Sequence, residues 1–152
     1  MDEPTATGSR PKSMAKSITA MLVGIAIGEG AIKSVEDLAE KYVPGFKGSE
    51  YGKTPIRDLL HMSSGVEFGE TKNGQRDLNR LWIDMVLGLG PTKGTINSIV
   101  QFNRRIAPPG TKYFYASIEA DVVGGVLHYA VNQSLSEIMG ADRRGSRRCL
   151  GD

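Results

Sequence analysis

A serine and a lysine three positions apart are the residues of this chain best suited to covalent chemistry. They are Ser13 and Lys16, in the segment Ser-Met-Ala-Lys. On a helix this spacing puts both side chains on one face. A serine hydroxyl becomes an effective nucleophile when a neighbouring base takes its proton, and a lysine in an apolar place can be that base. A serine at a helix N-terminus also lies beside backbone N–H groups that stabilise an oxyanion. The pair favours acyl transfer, and an ordinary N-cap serine is the alternative.

The same spacing occurs a second time, at Ser9 and Lys12, so the surrounding sequence has to distinguish the two pairs. Ser9 lies in a polar lead that contains prolines, whereas Ser13 opens an apolar run with helical spacing. The apolar positions of that run are Met14, Ile18, Met21, Leu22 and Ile25. We predict a helix that starts near Ser13 and ends at Gly28 and Gly30. Because it is apolar nearly all round, we expect it to be buried in the middle of the protein.

Further helices are predicted from apolar periodicity and from residues that start or stop helices. Ser34 with Asp37 has capping-box spacing and predicts a helix that Pro44 ends. The other predicted helices cover residues 54–65, 77–89, 96–106 and 118–131, with a last one beginning at Ser134. Residues 66–76 are predicted to form a loop, and no strand is indicated except a short extended stretch at 113–115. The pattern predicts a mainly α fold.

Several segments resemble, in order, those of the class C β-lactamases and of related esterases, amidases and aminohexanoate-dimer hydrolases. The pair Ser13 and Lys16 before an apolar helix resembles the nucleophile motif of that family. Leu-Leu-His-Met-Ser-Ser-Gly at 59–65 is similar to its Leu-Leu-x-His-x-Ser-Gly signature. Pro-Gly-Thr followed by Tyr-Ala-Ser, within 109–117, is similar to its second active-site motif. The resemblance covers residues 12 to 140.

This resemblance implies a role for each matching residue. Ser13 attacks the carbonyl and becomes acylated, Lys16 holds the Ser13 hydroxyl and accepts its proton, and Tyr115 relays protons to the leaving group and then assists water. A core tyrosine with a satisfied hydroxyl is the alternative for Tyr115. Ser117 is the expected substrate-binding residue, where the family commonly has asparagine. A serine hydroxyl has less reach than an amide, which both donates and accepts. This difference favours an ester or a small amide over a β-lactam as substrate.

The resemblance also implies the helical region of the α+β serine β-lactamase/transpeptidase-like fold, with most of the antiparallel sheet missing. Members of the family carry strands before the nucleophile, strands after the last helix seen here, and a third motif that supplies an oxyanion donor. We find no match to these in the sequence and expect a truncated or frameshifted gene product. We divide the chain into an irregular lead at 1–11, a partial β-lactamase-like domain at 12–142 and a basic disordered tail at 143–152.

The function expected from these observations is a serine hydrolase that is incomplete as a stand-alone chain. The alternative is a non-catalytic helical fragment or interaction module that needs a partner. Without a sheet, one face of the Ser13 helix is bare, and each exposed Leu, Ile or Val side chain forfeits roughly 1.5–3 kcal/mol of burial. We therefore expect self-association through exposed apolar surface.

Charge gives little reason to expect a nucleic-acid partner. The chain has 19 basic and 17 acidic residues, for a net charge of +2. The tail at 143–152 contributes +3 of this through four arginines and one aspartate, which leaves −1 for the remainder. Nucleic-acid binding by the arginine tail is a third hypothesis, and it depends on those four residues alone.

The remaining residues with reactive side chains do not form a pattern. His61, His128 and Cys149 are far apart in the sequence, so we expect no metal site and no cofactor. His61 is predicted to end a helix rather than to join a catalytic triad. The N-terminus shows no signal-peptide pattern, and the most apolar run, Ala20–Ile27, is shorter than the roughly 20 residues of a membrane span. We expect a cytoplasmic protein without a membrane segment.

Overall fold

A computed structural model describes residues 10–69, 75–87 and 94–131, and describes the backbone alone at 10–13, 75–76 and 86–87. Its α-helices are α1 (Arg10–Gly28), α2 (Ile56–Leu60), α3 (Gln75–Trp82), α4 (Thr95–Val100) and α5 (Ser117–Val131). A π-helical turn at Ile83–Leu87 continues α3, and two 3-10 turns lie at Ala39–Lys41 and Pro44–Phe46. Strand pairing in the described ranges is limited to two isolated antiparallel bridges, Leu38 with Pro55 and Val66 with Arg105.

The mainly α fold predicted from the sequence is confirmed, because helices and helical turns predominate in the described ranges and most of an antiparallel sheet is missing from them. The helices predicted at 77–89 and 118–131 are present as α3 with its π-helical turn and as α5. The helix predicted from Ser134 onward, most of the lead and the whole basic tail lie outside the described residues. No helix in the described ranges is long and apolar enough to cross a membrane.

Helix α5 forms the centre of the core, and α1, α2 and α4 all pack against it. Its apolar residues recur every three or four positions and so share one buried face. These residues are Ile118, Val122, Val123, Val126 and Leu127. Phe46, Tyr51, Ile56 and Leu59, from the segments before and within α2, complete the buried cluster around it. The helix that begins at Ser117, two residues after Tyr115, is therefore fixed by packing along most of its length.

Helix α1 begins at Arg10, earlier than the predicted start near Ser13. Pro11 lies in its first turn, where a residue without an N–H is tolerated because that donor has no partner inside the helix. The irregular lead predicted to extend through residue 11 is therefore too long by two residues. Ser13 lies within the first turn of α1 instead of opening it.

The prediction that this helix is buried all round is wrong. Leu22, Val23 and Ala26 are buried against the core, but Met14 and Met21 are 70% and 69% exposed. Ile18 is also exposed, so one apolar face of α1 is open to solvent in the described structure. The bare face expected for a helix without a covering sheet is present.

The helix predicted between Ser34 and Pro44 is also wrong, because its backbone donors bond elsewhere. The N–H of Ala39 donates to the carbonyl of Thr54 and that of Glu40 to the carbonyl of Gly52, at 3.1 and 3.0 Å. The Ser34 hydroxyl accepts from the N–H of Glu36 at 3.1 Å and so closes a short turn. These long-range bonds compete with a helical ladder, and only short 3-10 turns form.

Two further helices end earlier than predicted. Helix α4 stops at Val100 because Arg104 and Arg105 pair in extended conformation with residues 66 and 67. Helix α2 stops at Leu60, and Met62 then adopts the left-handed conformation at φ 54°. Both differences come from the chain around residues 62–67 and 104–106, which the site described below uses.

Candidate active site

Lys16 lies on α1, one helical turn after Ser13. Its side-chain nitrogen donates a hydrogen bond to the Ser117 hydroxyl oxygen, with 3.1 Å between Nζ and Oγ. The same Nζ lies 5.0 Å from the centre of the Tyr115 ring, within the range of a cation–π interaction. A lysine, a phenol and a hydroxyl from positions about a hundred residues apart therefore meet at the start of α5.

Tyr115 and Ser117 reach Lys16 because α1 and α5 pack against each other and α5 begins at Ser117. Tyr115 is 38% exposed, so it borders solvent instead of lying in the core. This placement differs from that of a core tyrosine, the alternative considered for it. Its neighbour Tyr113 is more exposed, at 68%.

The segment that carries Tyr115, residues 104–116, is bound to a tight turn at residues 62–65. Each backbone carbonyl of that turn accepts a hydrogen bond from the 104–116 segment. Phe114 N–H donates to Met62 and Gly110 N–H to Ser63, each at 2.8 Å. The Arg105 guanidinium donates to the Ser64 carbonyl, and Ile106 N–H donates to Gly65 at 2.8 Å.

The approach of the two segments is closest at Gly65. This residue has φ 72°, and a Cβ added to it would lie 2.0 Å from the carbonyl oxygen of Ala107. Only glycine allows this combination of a left-handed backbone and direct backbone contact. The Ser-Ser-Gly part of the family-like signature thus belongs to the turn to which the 104–116 segment is hydrogen-bonded.

Arg105 links the 62–65 turn to a third segment, residues 50–54. Its guanidinium pairs with the Glu50 carboxylate and also donates to the Glu50 carbonyl and to the Thr54 hydroxyl. The hydrogen bond from Arg105 lowers the pKa of Glu50, and Lys53 adds to that effect. All three guanidinium nitrogens therefore donate hydrogen bonds. This planar group with several donors distinguishes arginine from lysine.

A buried carboxyl, Glu119, ties the turn to α5. It is 1% exposed, and its Oε1 accepts a hydrogen bond from the Ser64 hydroxyl at 2.7 Å. Burial raises its pKa to about 7, against the opposing effect of the Ser64 donors. Glu119, Ser64 and Arg105 were not singled out in the sequence. Glu119 does lie at helical spacing with Val122, Val123 and Val126, and an acid inside an apolar stripe is the signal that would have found it.

Among the predicted site residues, the structure brings Lys16, Tyr115 and Ser117 together. For Ser13 it describes the position in α1 and not the side chain. His61 follows the end of α2, and its side chain and that of His128 are exposed. Cys149 lies outside the described residues. In the part of the chain that the structure describes, no three His, Cys, Asp or Glu side chains are grouped to hold a metal ion.

Comparison with known families gives a match over most of the chain. Residues 10–142 match the model of the family described as beta-lactamase. A search among curated proteins finds no match.

Solved structures share the fold at low sequence identity. A candidate 6-aminohexanoate-dimer hydrolase from Bacillus anthracis superposes with a TM-score of 0.66 at 22% identity, over 81% of this chain and 34% of that one. The octameric penicillin-binding protein homologue from Pyrococcus abyssi gives 0.62 at 23% identity, over 84% and 29%. A candidate β-lactamase from Bacteroides dorei gives 0.58 at 22% identity, over 83% and 34%. The chain thus spans about a third of the length of the structures it resembles.

Proposed function

Because the chain belongs to the β-lactamase family, we propose that it is a serine hydrolase, or the part of one that carries the nucleophile, and that it acts on an ester or a small amide through an acyl-enzyme. Ser13 is the nucleophile, Lys16 its base and Tyr115 the proton relay. Ser117 contacts the substrate or orients Lys16.

The observation that carries this proposal is the position of the Lys16 amine. It lies against the Tyr115 ring at 5.0 Å and within hydrogen-bond distance of Ser117. Lys16 also follows Ser13 by one helical turn on α1. Among the described side chains of the predicted set, the Lys16 amine contacts both Tyr115 and Ser117.

In the proposed reaction, the Ser13 oxygen attacks the substrate carbonyl carbon while its proton passes to Lys16. The tetrahedral intermediate collapses, the bond to the leaving alcohol or amine breaks, and the leaving group takes a proton through Tyr115. Water then attacks the acyl carbon, giving a carboxylic acid and restoring the Ser13 hydroxyl. No cofactor or metal ion is needed for this sequence of steps.

Ser117 bears on the class of substrate. Its hydroxyl is held by Lys16, and a hydroxyl offers a substrate fewer donors and acceptors than the asparagine common at this position in the family. This supports a substrate that makes few polar contacts beside the scissile carbonyl. A small ester or amide fits that description better than a β-lactam.

A fluorophosphonate probe tests the nucleophile directly, because it reacts irreversibly with activated serines. We expect the chain to be labelled on the peptide that contains Ser13, and Ser13→Ala to abolish labelling. Ser17→Ala is the matched control, since Ser17 is an exposed serine on the same helix next to Lys16. Ser9→Ala tests the second Ser-x-x-Lys pair. Labelling that survives Ser13→Ala, or that is lost in Ser9→Ala, would show that the assignment is wrong.

A second function, as an interaction module, is favoured by one observation: the exposed apolar face of α1. Met14, Ile18 and Met21 lie on this face. Sedimentation of the chain and of Ile18→Glu/Met21→Glu tests this function. We expect the wild-type chain to self-associate and the double variant to be monomeric. A wild-type chain that stays monomeric at all concentrations would remove this second candidate.

A further inference from the structure

Glu119 occupies an unusual place for an acid in the first turn of a helix. Such residues are favoured at helix N-termini because they complement the helix dipole, and they normally face solvent. Glu119 instead lies on the apolar stripe of α5 and is 1% exposed. A buried carboxyl is costly unless its surroundings compensate it, so this position calls for an explanation.

The hydrogen bonds of Glu119 are one-sided. Oε1 accepts from the Ser64 hydroxyl at 2.7 Å, and the Ser64 hydroxyl and backbone both act to lower the pKa of the carboxyl. Oε2 is buried and has no hydrogen-bond partner among the described residues, and the same holds for the phenol oxygen of Tyr51. An ionised carboxylate here would leave a charged oxygen unpaired inside the protein. The neutral acid carries no such penalty.

The charges around Glu119 also favour its neutral form. Burial raises its pKa to about 7, and the nearby Asp58 of α2 adds to this. Tyr51, from the segment before α2, is itself buried, and its pKa is raised well above the ordinary value by burial and then by Glu119. Arg105 is the neighbouring cation, but Glu50 already pairs with it. Asp77 of α3 adds another negative charge on the Tyr51 side.

We propose that Glu119 is a positioning residue that fixes the 62–65 turn against the start of α5 through Ser64 and thereby sets Tyr115 over Lys16. The 62–65 turn carries the 104–116 segment on all four of its carbonyls, so a shift of Ser64 moves that segment. Tyr115 lies near the end of that segment, two residues before α5 begins at Ser117. The consequence for catalysis rests on the proposed function, whereas the coupling between Glu119 and the turn does not.

Ionisation of Glu119 should weaken this connection. The charged form is stabilised by water, so it favours states in which α5 and the 62–65 turn separate. An opening that exposes Glu119 has an equilibrium constant that rises about tenfold per pH unit between 4.5, the ordinary glutamate value, and about 7. Above that range the rise stops, because the carboxyl is then ionised in both states.

Amide hydrogen exchange of the whole chain measures this opening. The informative donors are the N–H groups of Phe114 and Gly110, which bond to the 62–65 turn, and the reference donors lie in the buried half of α1, at Val23 and Ala26. After division by the intrinsic rate, we expect the exchange of Phe114 and Gly110 to rise with pH as described. In Glu119→Gln, which keeps an acceptor and cannot ionise, we expect no such rise.

The outcomes of this experiment separate a positioning role from a merely structural one. Equal pH responses at Phe114 and at Val23 would mean that Glu119 affects only global unfolding, and the proposal would fail. A rise that persists in Glu119→Gln would also overturn it. His61→Ala is the control for the imidazole beside the turn. We expect it to keep the response.

Fluorophosphonate labelling of the same samples tests the consequence for the site. We expect the labelling rate of Glu119→Gln, relative to wild type, to grow as the pH rises towards about 7 and to level off above it. Absence of labelling in all variants at every pH would contradict the proposed function and leave the exchange result to decide the role of Glu119. Labelling with an identical pH profile in both chains would overturn the effect of Glu119 on the site.

Discussion

Tyr115 and Lys16 meet at the candidate site, but different kinds of interaction hold them there. On the Tyr115 side, the 62–65 turn bonds the 104–116 segment through consecutive carbonyls. On the Lys16 side, α1 is attached through apolar packing of Leu22, Val23 and Ala26, while Met14 and Ile18 nearer its start are exposed. Hydrogen bonds are directional, so they allow the 104–116 segment few alternative positions. Apolar packing holds only the later part of α1, so the position of its first part is less constrained.

This difference predicts where substitutions act. Changes in the turn should cost folding free energy, because backbone groups would lose partners that nothing else supplies. Changes on the exposed face of α1 should leave the folding free energy nearly unchanged and alter association or the reaction instead. The predictions below test that division, in order of decreasing expected effect.

The largest effect is expected for Gly65→Ala. Its Cβ would lie 2.0 Å from the Ala107 carbonyl oxygen in a left-handed backbone, so the turn and the 104–116 segment must separate. We expect a loss of about 3 kcal/mol or more in unfolding free energy, measured by urea denaturation.

Two glycines serve as controls for this substitution. Gly48 has φ 81° and open space where a Cβ would lie, so Gly48→Ala costs only the strained backbone, roughly 1 kcal/mol. Gly24 lies within α1 with open space, and Gly24→Ala should stabilise the helix by up to about 1 kcal/mol. Equal losses at Gly65 and Gly48 would show that the close backbone contact contributes nothing.

On α1, the expected contrast is between adjacent residues. Leu22 is 5% exposed and Met21 is 69% exposed. We expect Leu22→Ala to lower the unfolding free energy by about 2–5 kcal/mol, because it leaves a cavity against α5. Met21→Ala should change it by less than about 0.5 kcal/mol. A large loss in Met21→Ala would mean that the exposed face is covered in solution.

Stability should also depend on pH in two opposite ways. Glu119 has a raised pKa, so its contribution is complete below 4.5 and is lost as the pH rises to about 7. The loss amounts to roughly 3 kcal/mol at most. Glu50 has a lowered pKa because of Arg105, so its contribution is present at neutral pH and is lost as the pH falls through the folded-state value.

Urea denaturation midpoints measured across this pH range test the direction of both pH dependences. Glu119→Gln should remove the decrease on the neutral side, and Glu50→Gln should remove part of the decrease on the acid side. Stability that increases from pH 5 to pH 8 in the wild-type chain, about the range in which Glu119 titrates, would contradict the raised pKa.

The sequence predicted what strong periodicity and ordered motifs can predict. Helix α5 follows from its apolar spacing, and the meeting of Lys16 with Tyr115 was expected from the resemblance, whereas the contact of Lys16 with Ser117 was not. The failure at residues 34–44 has a physical cause: Ser34 and Pro44 are genuine local signals, but Ala39 and Glu40 donate to carbonyls of residues 52–54. Local sequence signals cannot indicate a hydrogen-bond partner that lies a dozen or more residues away.

The supporting residues of the site were missed for the same reason. Glu119 resembles an ordinary first-turn acid until its place on the apolar stripe is considered, and Arg105 resembles a surface arginine. Their partners, Ser64 and Glu50, are about 55 residues away in each case. Long-range polar pairs leave almost no periodic trace in a single sequence, so the meeting of Lys16 with Tyr115 could be predicted from the resemblance while the residues that support it could not.

The smallest effect is expected for His61→Ala. His61 lies next to the hydrogen-bonded 62–65 turn. Among the described contacts, His61 contributes to the turn through its backbone N–H, which donates to Arg57, and alanine supplies the same donor. Its imidazole is exposed. We expect the unfolding free energy to change by less than about 0.5 kcal/mol and fluorophosphonate labelling to be unchanged. If labelling were lost while urea unfolding stayed the same, a histidine would be taking part in the reaction. The proton acceptor would then have to be reassigned from Lys16, although the hydrogen-bonded turn next to His61 would remain as described.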